Sequence, residues 1–135
     1  MSAILDAKRA VERRLSRAFP TTAISYENVE FQPTDALYLR TAFRVNRPTD
    51  DSIGNDCYRE NITFTVFVCD KLNKGTSNAI NIAEKIRSLF YKRLTLQENT
   101  TRIHILQVPQ VSTAAKTVDR LVIPVVITLT VEVFR

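Results

Sequence analysis

Apolar positions recur along this chain with two different periods, and the switches between them predict its elements. From about Ser2 to Ala18, Ile4, Val11, Leu15 and Ala18 fall at helical spacing, while Lys8, Arg9, Arg13, Arg14 and Arg17 mostly turn away from them. This predicts an amphipathic helix with a basic back, stopped before Pro20 because proline disfavours the helical conformation in the residue preceding it. Ala23 to Phe31 alternates loosely, with a change of phase near Glu27 and Asn28, as in a short or bulged strand. Leu37 to Asn46 alternates cleanly: Leu37, Leu39, Thr41, Phe43 and Val45 share one side, Arg40 and Arg44 the other. Cys57 to Asp70 repeats the pattern with Ile62, Phe64, Val66 and Val68, so the two segments are expected to form a hairpin. Their connection, residues 47–56, is longer than a tight turn needs and carries Asp50, Asp51 and Asp56, which suggests a projecting acidic loop.

Lys71 to Gly75 interrupts the strand period. Thr76 or Ser77 is placed to cap a second helix running to about Arg93, with Ile80, Ala83, Ile86, Leu89 and Phe90 as its apolar stripe and Lys92 and Arg93 in its last turn. Ile103 to Val111 and Val118 to Phe134 return to strand character. The last segment has an odd-numbered apolar row from Leu121 to Val133, and at about 3.3 Å per residue it is overlong for one strand, so it must bend near Pro124 or protrude, exposing an edge. The expected architecture is a single α+β domain over residues 1–135. It has an antiparallel-rich sheet with two main helices packed on one face, in the order α-β-β-β-α-β-β.

Composition changes this picture little. With 44% hydrophobic and 24% charged residues in 135, the chain has enough apolar material for one core. No apolar run approaches the length of a membrane span, and the charged N-terminal segment lacks the apolar run of a signal peptide, so no membrane association is expected. In such a setting Cys57 and Cys69 are expected to be reduced thiols, and Asn61 and Asn99 carry no weight as glycosylation sequons. The net charge of +5 is unevenly distributed. Residues 1–26 hold 5 basic and 2 acidic side chains, residues 27–70 hold 4 and 8, and residues 71–135 hold 10 and 4, giving +3, −4 and +6. Such asymmetry suits complementary protein faces.

Chemistry-bearing motifs are sparse. Two glycines, Gly54 and Gly75, cannot build a phosphate-cradling loop, and one histidine with two cysteines cannot build a zinc site. The aspartates of residues 50–56 match no calcium-loop spacing, and Glu60 and Asp70, taken to end opposite sides of a strand, make no acid–base pair. His104, alone on the polar side of its strand, reads as a surface or packing residue. No catalytic residue, metal ligand or cofactor is expected. A nucleic-acid-binding reading would combine the basic first helix with Arg40, Arg44, Tyr38 and Tyr58.

The element order, the segment Arg59-Glu-Asn-Ile-Thr-Phe-Thr-Val-Phe-Val-Cys-Asp70 leading through Gly75 into the helix from Ser77, and the closing Val-Ile-Pro-Val-Val-Ile-Thr-Leu-Thr-Val-Glu-Val strand resemble the tail terminator proteins of long-tailed bacteriophages, the kind that includes the lambda minor tail protein U. The resemblance covers essentially the whole chain. It implies a structural virion protein, assembled in the host cytoplasm and located in the tail at the head–tail junction. Such a protein forms a homohexameric ring on the tail tube, ends polymerisation of the major tail tube protein, and presents a surface to a head–tail connector or stopper protein. DNA would pass through the lumen without sequence-specific binding. Another connector or stopper neck protein is the neighbouring reading, and a small nucleic-acid-binding protein the distant one. For the subunit or partner interface, Arg13, Arg14 and Arg17 on the basic helix and Asp50, Asp51 and Asp56 on the acidic loop are the candidates.

Overall fold

Two strands of fifteen residues each, β3 (Cys57–Lys71) and β8 (Arg120–Phe134), pair antiparallel along their whole length from Cys57↔Phe134 to Lys71↔Arg120 and form the spine of the sheet. The structure is a computed structural model and describes residues 3–32, 36–50 and 57–134. The remaining elements are α1 (Ala3–Ala18), β1 (Ala23–Ser25), β2 (Tyr38–Val45), α2 (Ser77–Leu89), β4 (Thr95–Glu98), β5 (Thr101–Ile105), β6 (Gln110–Val111) and β7 (Ala115–Lys116). The sheet runs β1-β2-β3-β8-β5-β4, with β6 and β7 also pairing β8, and among the described residues only the β1–β2 pair is parallel. This is the expected α+β architecture, with more strands than the sequence pattern resolves.

The period-2 rows decide which face is covered. Ile62, Phe64, Val66 and Val68 of β3 lie beside the odd-numbered row Leu121 to Val131 of β8, and all are buried. Against them pack Ala7, Ala10, Val11 and Leu15 of α1, and Ala79, Ala83 and Ile86 of α2, with Phe90 just past its end. Both helices therefore cover one face of the sheet. Phe64 stands edge-on to Phe43 and Phe90, with ring centroids 6.4 and 5.9 Å away, a geometry worth about 0.5–1.5 kcal/mol per pair beyond the area buried. Ala18 and Ile80, expected inside, are exposed, because the true stripes run through Ala7 and Ala10 in α1 and through Ala79 in α2.

The expected hairpin of β2 and β3 forms, and the structure sets its register, from Tyr38↔Cys69 to Val45↔Ile62. Its ladder continues past β2: Asn46 N–H donates to Asn61 O, and Thr49 and Arg59 exchange both backbone bonds. One extra residue lies between these bonds on the Asn46–Thr49 side, a bulge that accommodates Pro48 without costing a ladder bond. Residues 47–50 are thus tied to β3, and the remainder of the anticipated loop, Asp51 and Asp56 included, lies outside the described residues.

Three expectations are corrected. The final strand is not interrupted at Pro124, and most of it is no edge: β3 flanks it on one side, and β5, β6 and β7 on the other. Pro124 carbonyl accepts Ser112 N–H at 2.9 Å, so its missing N–H faces the gap between β6, which ends at Val111 opposite Val125, and β7, which starts at Ala115 opposite Val122. The β3 ladder therefore loses nothing to proline. Only residues 132–134 run beyond the last β5 partner, Val131. Ile103 to Val111 is likewise not one strand; five steps along the chain from Ile105 to Gln110 oppose three along β8, and the excess loops out around Pro109, whose carbonyl accepts Arg87 Nε at 3.0 Å. The second helix ends at Leu89, four residues early. Phe90 closes its last bond to Ile86 O, Arg93 takes φ 73°, and the segment from Leu94 becomes an edge strand, so Lys92 and Arg93 lie beyond the helix dipole.

Candidate functional site

The arginines of α1 sit above a groove between the helix and the edge strand β4. Its walls are Arg13, Arg14 and Arg17 on one side and Glu98 on the other, with Leu89 and Leu96 in its floor. Helical spacing puts the arginines on the flank of α1 away from Val11 and Leu15. The structure gives the three different jobs. Arg13 forms a two-pronged ion pair with Glu98, Nη1 to Oε1 at 2.6 Å and Nη2 to Oε2 at 3.1 Å, and the carboxylate raises the guanidinium's affinity for its proton. Arg14 Nε donates to Leu89 O at 2.9 Å, taking up one of the carbonyls left over at the end of α2. Arg17 is exposed and, among the described residues, makes no ion pair.

The acidic half of the candidate set is less fully placed. Asp50 is exposed at the end of the segment held by the Thr49–Arg59 bridge. Asp51 and Asp56 lie outside the described residues.

A polar site that the sequence pattern did not reveal lies at the opposite end of α1. Asp6 is 2% exposed, and its carboxylate accepts Asn99 Nδ2 at 3.0 Å and Thr101 Oγ1 at 2.7 Å. It fastens the first turn of α1 to the β4–β5 turn, where Asn99 adopts φ 56°, a conformation asparagine tolerates. The only signal in the sequence was an aspartate in the first turn of a helix, which reads as a dipole partner.

The thiols stand twelve residues apart on one strand, about 40 Å, and are not joined by a disulfide. Burial pushes the Cys69 thiol above its ordinary pKa of 9.0. His104 is half-buried, with Nδ1 3.1 Å from Thr95 Oγ1 across the β4–β5 ladder. Glu60 and Asp70 share one side of β3, contrary to the sequence reading, but about 34 Å of strand separates them. Among the described residues no cluster of three metal-ligating side chains occurs, and no helix is long and apolar enough to cross a membrane. The nucleic-acid surface assembled from the sequence is split: α1 lies on one face of the sheet, while Arg40 and Arg44 project from the other.

Comparison with known proteins gives a family and a fold. A family model described as phage tail terminator protein matches residues 6–128, from the first turn of α1 to the middle of β8. No curated relative matches the chain significantly. One solved structure is 22% identical over 100% of this chain and 99% of its own, with a TM-score of 0.79, a likeness of fold.

Proposed function

We infer the role of this chain from one premise: it belongs to the phage tail terminator family. Its role is a structural one in completing the phage tail, and the family is not an enzyme family. The finer reading is a homohexameric ring seated on the end of the tail tube. The ring stops addition of the major tail tube protein and offers its free side to the head–tail connector or stopper protein, while DNA passes through the lumen without sequence-specific binding.

The observation that carries this reading is the extent of the family match, which spans both helices and the sheet up to β8. The charge layout supports it. The basic groove on α1 and the exposed Asp50 carry opposite charge on one subunit, and Asp51 and Asp56 add to the acidic charge in sequence, as suits a heterologous, ring-closing interface. Arg13, Arg14, Arg17, Asp50, Asp51 and Asp56 are the residues assigned to the subunit or partner interface.

Negative-stain electron microscopy of the purified protein, with and without isolated tail tubes of the same phage, tests the reading. Rings alone or seated on tube ends are the expected result. Particles that ignore tube ends but attach to head connectors would transfer the protein to the connector or stopper role, and small particles indifferent to both would overturn the assembly reading.

A further inference from the structure

We propose that the helix-free face of the sheet binds the phosphate backbone of DNA, independently of base sequence. Strand register fixes which side chains share that face. On β2 they are the even-numbered residues from Tyr38, on β3 the odd-numbered ones from Cys57, and on β8 the even-numbered ones from Arg120; Arg102 and His104 continue the face onto β5. Among the described residues of these strands, the face carries six cations, Arg40, Arg44, Arg59, Lys71, Arg102 and Arg120, against one carboxylate, Glu132.

The cations are spread in a way that suits a long polyanion. From the Lys71–Arg120 pair to Arg59 is twelve residues of β3, about 40 Å, slightly more than the roughly 35 Å of one duplex turn. Arg40, Arg44, Arg59 and Arg102 are exposed, and Arg44, Arg59 and Arg102 make no ion pair among the described residues. Between them stand the hydroxyls of Thr63, Thr65 and Thr128, a side-chain type that binds phosphate oxygens.

An acidic protein surface fits less well. Interface cores are depleted of charge, whereas on this face guanidinium groups cover the rings, Arg40 over Phe67 at 4.4 Å and Arg120 over Tyr38 at 5.0 Å. Among the described residues no group here is arranged to read base edges, since the face is a broad sheet with neither a helix nor a narrow ribbon to enter a groove. The binding is therefore expected to be electrostatic, carried by counterion release.

This inference goes beyond the capping role and does not depend on ring formation. The test is fluorescence anisotropy of a short random-sequence DNA duplex with the full-length protein across a salt series. Two triple variants with the same change in net charge are compared: R44E/R59E/R102E on the helix-free face, and R9E/K85E/K92E on exposed positions of the helix side. Wild type should bind at low salt with a steep log–log salt dependence. The face variant should flatten that slope by about 2.7, at about 0.9 for each phosphate no longer neutralised, and the helix-side variant should leave it nearly unchanged. Circular dichroism melting establishes that each variant folds, and R44Q/R59Q/R102Q, which should flatten the slope equally, replaces the reversal if it does not. Equal losses from both faces, or no affinity of the wild type at low salt, would overturn the proposal. A face variant that still caps tail tubes while losing DNA separates this inference from the capping role.

Discussion

Asp6 is a residue at which a single change reaches the anchoring of α1. Its carboxylate is 2% accessible and holds the Asn99 amide and the Thr101 hydroxyl. Substitution by alanine strips both donors of their acceptor, but Asn99 is exposed and can turn to water, whereas the half-buried Thr101 hydroxyl is less able to. Asp6→Ala is expected to lower stability by about 1–3 kcal/mol in urea unfolding, the order expected for hydrogen bonds to a charged group, with Asp6→Asn intermediate because the amide retains one acceptor oxygen. A loss below about 0.5 kcal/mol would mean that α1 does not depend on this anchor. Arg13 and Arg14 make the same point on the other flank. Their basic character was legible in the sequence, but their engagement with Glu98 and Leu89 O was not, because those partners lie 85 and 75 residues away.

At the scale of elements, Pro124 shows how a strand in the sheet interior tolerates proline. Its carbonyl, and hence its missing N–H, faces the interruption between β6 and β7, while the adjacent Val125 turns its N–H toward Val66 of β3. Pro124→Ala should therefore change stability by less than about 1 kcal/mol. Val125→Pro should destabilise by about 3 kcal/mol or more, through a lost ladder bond, an unpaired Val66 carbonyl and the ring's clash. Chemical denaturation midpoints of the two variants check the contrast, and similar losses in both would mean that the interruption does not accommodate the proline. The periodic elements, α1, β2, β3, α2 and β8, were legible because each repeats its pattern over at least eight residues. Strands β4, β6 and β7, of two to four residues, carry too few positions to show a period and exist because neighbours supply their bonds.

For the molecule as a whole, opposite charges on one subunit, such as the exposed Arg17 and Asp50, are what assembly would use. Asp50→Ala/Asp51→Ala/Asp56→Ala and, separately, Arg17→Glu are expected to leave the melting temperature nearly unchanged and to reduce ring formation and tube capping at wild-type concentration. Arg14→Glu should instead lower the melting temperature, since its guanidinium serves the Leu89 carbonyl. Tails of normal length made with either of the first two variants would remove those residues from the interface.

The sequence by itself determined the α+β class, the β2–β3 hairpin, the positions of both helices and the resemblance to tail terminators. These rest on local periodicity and on the order of elements, which neighbouring residues encode. Only the tertiary structure decided that β8 lies inside the sheet, that the basic helix and Arg40 and Arg44 occupy opposite faces, and that Asp6 is an anchor. Each of these depends on which distant strand supplies the hydrogen bonds and which face the helices cover, and that choice is made by burying the whole apolar surface at once.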